Sequence, residues 1–301
     1  MFWRRKKRDE PDGPPPLTPE QLARREELLQ EAHRLGDEGE WDAAADALRD
    51  ALDELPGDSH VLCWLGVAER ELGMDGVAYE RFKACLAGRP DDAAVLATAG
   101  NAVAAFDDPA AEPALRTATL LAPDLALARW LYGAYLSREG LMDLALEQLH
   151  TARTLEPENA EITYELAVAL ALQNNVEGAV DELYRAAELD PEDGWTRIVL
   201  GLSLVEDRRL DEAVVELTEG ARARSGDVEA QLLAALAAAA QGLDDLAWEM
   251  LERGRQRGAG ADLALADEVE ERIEEGAESA ARFLRSEVGP SAYRERLGQR
   301  P

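Results

Sequence analysis

The stretch Ser59–Asp92, SHVLCWLGVAERELGMDGVAYERFKACLAGRPDD, decides the fold. Leu62 and Leu65 fall on one face of a first helix, and Gly73 supplies a residue able to end it in a left-handed cap. A second helix follows with Ala78, Phe82 and Cys85 on one face, and Pro90 closes it because proline cannot continue a helix. Small residues at Gly66, Ala78 and Cys85 let the two helices lie close together. The stretch reads as one helical hairpin, and a lone hairpin cannot bury its own apolar face.

The same ruler extends along the chain. Prolines recur at Pro56, Pro90, Pro123, Pro157 and Pro191, spaced by 34, 33, 34 and 34 residues. Gly39, Gly73, Gly140, Asn174 and Gly242 stand at equivalent turn places. Ala44, Ala78, Ala111, Ala145, Ala179, Ala213 and Ala247 mark the second helices over seven cycles. Alternating β-branched runs are missing, so no sheet is expected.

Within each cycle the pattern resembles the tetratricopeptide repeat, whose signature places Leu-Gly, Ala, an aromatic or Leu, Ala and Pro at fixed offsets. The second cycle matches best, with Leu62, Leu65-Gly66, Ala78, Phe82, Cys85 and Pro90. Tyr132-Gly133, Leu166-Ala167 and Leu200-Gly201 open the fourth, fifth and sixth in the same way. The resemblance covers about Arg25 to Ala261 and implies an all-α fold, a right-handed α-solenoid of antiparallel helix hairpins. Stacking would make its apolar faces one continuous core.

Departures mark the irregular places. The third repeat is one residue short, and Phe106-Asp107-Asp108-Pro109 replaces its glycine turn. In the seventh the first helix is almost all Ala and Leu, which predicts complete burial. Thr18-Pro19-Glu20-Gln21 is a capping-box start. Leu265, Val269, Ile273, Ala277, Ala280 and Leu284 form one stripe on a charged C-terminal helix or helix pair, read as a capping element. The expected division is a disordered basic and proline-rich tail at 1–17, seven repeats at 18–261, and capping helices with a tail at 262–301.

With 62 acidic residues against 32 basic ones, the formal charge is −30. A body so acidic repels phosphate backbones, so nucleic acid is not expected as a partner. Two cysteines, Cys63 and Cys85, exclude a disulfide framework. Cys63 falls at a repeat position that the resemblance places on the open concave face, and Cys85 at a buried one. No apolar run is long enough to cross a bilayer. The N-terminus has the charge of a signal peptide without its apolar core, since Asp9 to Gly13 stand there. A cytoplasmic chain is expected.

Catalytic patterns are absent: no Ser-His-Asp, phosphate loop or His-Glu-x-x-His is found, so neither an enzyme nor a cofactor is expected. His60 and Cys63, three apart on one helix face, offer two metal ligands where zinc needs three or four. Partners of the resembled family lie in the concave groove. Its equivalent positions read Trp130, Tyr164, Ile198 and Leu232, with first helices about 8–10 Å apart. Val168, Leu202 and Leu236 extend this ladder, and Leu127, Leu172 and Trp195 widen it. The family's two-carboxylate clamp is incomplete, for Ala97 stands where lysine is needed beside Asn101. The expected function is a scaffold or adaptor binding a protein segment, an amphipathic or basic helix, in this apolar groove; the competing reading is that the chain fills the groove itself, through Leu17 or the Tyr293–Leu297 segment, or that a second copy does. A second reading is an assembly scaffold peripheral to the inner face of a membrane. There Phe2, Trp3, Arg4, Arg5, Lys6, Lys7 and Arg8 would touch anionic lipid.

Overall fold

The computed structural model describes residues 17–298, and the tail residues Phe2 to Arg8 lie outside them. Among the described residues every regular element is helical, and no helix is long and apolar enough to cross a membrane. The chain divides into two compact units, the first ending at Tyr135 and the second beginning at Leu136. That division was not read from the sequence.

The first unit stacks three hairpins: α1 (Pro19–Asp37) on α2 (Trp41–Glu54), α3 (Ser59–Glu71) on α4 (Asp75–Ala87), and α5 (Ala93–Ala104) on α6 (Ala111–Leu121). Ala128 of α7 (Ala126–Arg138) joins Leu96, Ala97, Ala114 and Ala118 in the last apolar cluster of this unit. The second unit holds α8 (Met142–Leu155) and three hairpins. These are α9 (Ala160–Leu172) with α10 (Val176–Leu189), α11 (Gly194–Glu206) with α12 (Leu210–Ala223), and α13 (Val228–Ala240) with α14 (Asp244–Arg257). It ends in α15 (Ala261–Glu275), α16 (Ala277–Phe283), a π-helical turn π1 (Leu284–Val288) and α17 (Gly289–Gly298).

Local chemistry fixes both ends of the first helices. Asp58, Asp92, Asn159, Asp193 and Asp227 each accept backbone N–H groups at a helix N-terminus. The Thr18 hydroxyl accepts from the Gln21 amide, and the Gln21 side chain accepts from the Thr18 amide, completing the capping box. Left-handed residues end the turns at Gly39, Gly73, Gly140, Asn174 and Gly242, as the period requires. Asp107 (φ 53°) and Arg208 (φ 64°) take that conformation where the glycine is missing. Around the irregular third turn, Tyr79 stacks on Phe106 at 4.5 Å, and its hydroxyl donates to Asp108 at 2.8 Å.

Close approach is visible at the predicted small positions. A Cβ added to Gly66 would lie 2.9 Å from the Phe82 ring, and one on Gly201 would lie 2.6 Å from Leu217 Cγ. Glu69 stands four residues after the Leu-Gly leucine, where the fourth, fifth and sixth repeats carry Leu136, Leu170 and Leu204. Glu69 is 1% exposed, held by Arg49 at 3.2 Å and Arg81 at 3.1 Å from the two neighbouring helices. The expectation that Cys63 faces an open surface fails. It is buried at 1% exposure, its sulfur near the Val95 carbonyl, because α5 closes over α3. Both cysteines are buried free thiols, and the hydrogen bond with Cys85, together with burial, raises the Cys63 thiol well above its ordinary range.

Candidate functional site: a groove closed by the C-terminal helix

The first helices of the second unit carry eight of the ten residues expected to form an open apolar ladder. Seven of the eight are covered. Tyr164, Val168, Trp195, Ile198, Leu202, Leu232 and Leu236 are all buried, and Leu172 alone is exposed, at 46%. The expectation of an exposed ladder is therefore corrected: Ile198 and Leu232 pack inside their own hairpins, close against Gly220 of α12 and Gly254 of α14, and the C-terminal segment lies against the same first helices. α16 packs against α13, π1 against α13 and α11, and α17 against α11 and the edge of α9. Phe283, Leu284, Ala292, Tyr293 and Leu297 join the ladder residues in a single apolar cluster. The other two ladder residues, Leu127 and Trp130, belong to α7 and are half-buried; the Trp130 indole N–H is buried without an acceptor.

Three polar contacts fix α17 in register. The Tyr293 and Ser203 hydroxyls share a hydrogen bond of 2.9 Å. Arg296 donates both terminal nitrogens to Asp227, at 2.8 and 2.9 Å, and one of them also to Glu229 at 2.8 Å. Its guanidinium lies 5.0 Å from the centre of a Trp195 ring, with Arg224 at 5.3 Å from it. Trp195 is itself oriented by its indole N–H, which donates to the Tyr164 hydroxyl at 2.9 Å.

Electrostatics follow from this geometry. Burial works against the Arg296 charge, but the Asp227 and Glu229 carboxylates outweigh it and raise its value. Burial likewise works to raise Asp227, yet the Arg296 hydrogen bond and the Ala230 amide hold it below its ordinary value of 3.8. Burial pushes the Tyr293 phenol up.

Ser203, Asp227 and Glu229 were not singled out by the sequence reading. On so acidic a chain a carboxylate pair carries little signal, and the one usable hint was the 34-residue spacing that brings Asp193 to Asp227. His60 turns toward Arg25 (3.1 Å) and Asp92 (3.6 Å), while Cys63 packs under Val95. Among the described residues, no group of three His, Cys, Asp or Glu is placed to share a metal ion. The first unit has an uncovered apolar pocket of about 310 Å³ between α1, α2 and α3. His33 meets Trp64 there edge to face at 4.2 Å, and Trp41 and Leu48 line it.

Residues 29–97 and 136–194 match a family model described as tetratricopeptide repeat. No curated protein matches the chain. Solved structures share its fold. The APC/C hetero-tetramer Cut9–Hcn1 aligns at TM-score 0.65 and 19% identity, covering 80% of this chain and 48% of that one. The chain thus spans about half the length of that protein. PilF of Pseudomonas aeruginosa aligns at TM-score 0.55 and 19% identity, over 67% of this chain and 93% of its own. The C-terminal part of a repeat-containing protein from Cytophaga hutchinsonii aligns at 0.51 and 12%, over 78% and 98%. With the period, the capped hairpins and the family match in agreement, the chain carries tetratricopeptide repeats, matched over residues 29–97 and 136–194.

Proposed function

We propose that the chain is a protein-interaction scaffold that holds a helical partner segment on the first-helix face of its second unit. The observation that carries this reading is α17 itself. A ten-residue helix packs against α11, its Ala292, Tyr293 and Leu297 in the same apolar core as Trp195 and Leu202, and its arginine on two carboxylates. The face is thereby built to receive a helix of mixed apolar and basic character, which is one of the recurring modes of peptide recognition. An acidic chain favours a basic partner through complementary fields as well. The exposed Leu172 marks the end of α9 where the face remains accessible.

Site-specific photo-crosslinking in the native cell tests this. A photoreactive residue replacing Leu172 should capture a protein partner through one defined segment. The same residue replacing Val215, which is 55% exposed on α12, should not. Capture of a partner from Val215 with none from Leu172 would place the interaction on the outer helices instead.

A further inference from the structure

The contacts of α17 report what its seat selects. Along the helix, Ala292 packs at 1% exposure, Tyr293 meets Ser203, Arg296 forks onto Asp227 and Glu229, and Leu297 is buried at 9%. These four residues occupy i, i+1, i+4 and i+5, which is one stripe of a helix. The stripe is small, Tyr, Arg, Leu.

The seat is specific but not tight. An open pocket of about 140 Å³ remains between α13, α15 and the C-terminal segment, lined by Leu232, Leu236, Leu265, Val269, Val288 and Ser291. The Arg296 Nε is buried without a hydrogen-bond partner. An unmet buried donor offsets part of what its neighbouring contacts contribute. A buried ion pair of this kind also sets register more than it adds stability.

The connection to α17 is irregular as well. The chain enters through the π-helical turn Leu284–Val288, where a Cβ on Gly289 would collide with the Leu284 carbonyl oxygen. Short π-helical turns of this kind are frequent at functional sites.

We propose that α17 is an internal competitor, and that the groove's external ligand is a basic amphipathic helix repeating the small–Tyr–x–x–Arg–Leu stripe, which displaces α17 when it binds. The proposal rests on the groove reading above. Apolar burial supplies affinity common to many helices, whereas the Arg fork and the Ser203 hydroxyl select this stripe. An acidic helix would set its charge against Asp227 and Glu229 and be rejected.

The test uses the full chain and a fluorescent peptide with the sequence of residues 284–298, followed by anisotropy. Arg296→Glu in the chain turns the clamp on α17 into a repulsion and leaves the groove floor intact. That variant should bind the peptide at least about tenfold more tightly than wild type, a change that corresponds to about 1.4 kcal/mol. A peptide carrying the same Arg296→Glu change should gain nothing. Should the charge reversal unfold the chain, Tyr293→Phe removes only the hydroxyl contact and should tighten peptide binding about threefold, a small change typical of one lost hydrogen bond.

Hydrogen exchange of the wild-type chain gives a second readout, since residues 290–297 should open while α11 and α13 stay protected. Equal peptide binding by wild type and the folded variants overturns the proposal. So does exchange of α17 only together with α11 and α13, which would make it a fixed part of the core. The two readings fail separately. Crosslinks from Leu172 without peptide exchange keep the scaffold and remove the competitor, and peptide exchange with crosslinks only from Val215 does the reverse.

Discussion

At the residue scale, the period works because each small position has one physical job. Gly66 and Gly201 sit where the paired helix comes within contact of a bare Cα, so no side chain fits without moving Phe82 or Leu217. Replacing Gly66 with Leu should cost about 1–3 kcal/mol or more through overpacking, read as a lower urea midpoint with unchanged slope. An unchanged midpoint would mean that α3 and α4 are not packed through this residue. Arg208 shows the limit of reading residues by type. The turn geometry is imposed by the hairpin, and an arginine is held at φ 64° where a glycine would sit without steric cost. Glu69 shows it again, since a carboxylate flanked by Arg49 and Arg81 fills a place the pattern reserves for an apolar side chain.

At the element scale, α17 is the informative piece. Its mean character is polar and its sequence carries no strong helix signature, yet three of its side chains, Ala292, Tyr293 and Leu297, complete the core of the second unit. The clamp that holds it has a definite response to pH. Asp227 titrates below its ordinary 3.8 in the folded chain, so the stability it contributes is present above that value. That contribution is lost as pH falls through the lowered folded value. Arg296, Arg224 and Glu229 are the charged groups facing it. Hydrogen-exchange protection of α17 should therefore fall below about pH 4 more steeply than that of α9, and Asp227→Asn should flatten the difference. Asparagine keeps the cap on α13, so the variant isolates the charge. Identical pH profiles for wild type and variant would remove Asp227 from the account of how α17 is held.

At the scale of the whole molecule, charge is the dominant fact. With 62 acidic residues against 32 basic ones, repulsion within the folded chain is expected to exceed what its ion pairs recover. Raising salt from about 0.1 M to about 1 M shortens the screening length from about 10 Å to about 3 Å. The melting temperature should rise over that range, because the unpaired excess of acid is screened more than the close arginine pairs are. A falling melting temperature would show that the ion pairs, including the Arg153–Glu182 and Arg197–Glu216 contacts between neighbouring helices, outweigh the repulsion. The same excess charge, set against a helix with an arginine at its centre, is why a basic partner segment is the chemistry the proposed groove favours.

The sequence by itself determined the hairpins, their period and their ends. Those features come from contacts within about four residues: a capping carboxylate, a left-handed turn, a proline, a small residue on a helix face. It also marked Trp130, Tyr164, Ile198 and Leu232 as equivalent large apolar groups on successive first helices. Only the tertiary structure decided what covers them. The Ser203–Tyr293 bond joins residues 90 apart, and the Arg296–Asp227 clamp joins residues 69 apart. A periodic pattern records which face of a helix is apolar. It holds no information on whether a neighbouring repeat, a distant segment of the same chain or another protein buries that face, since all three remove the same surface from water.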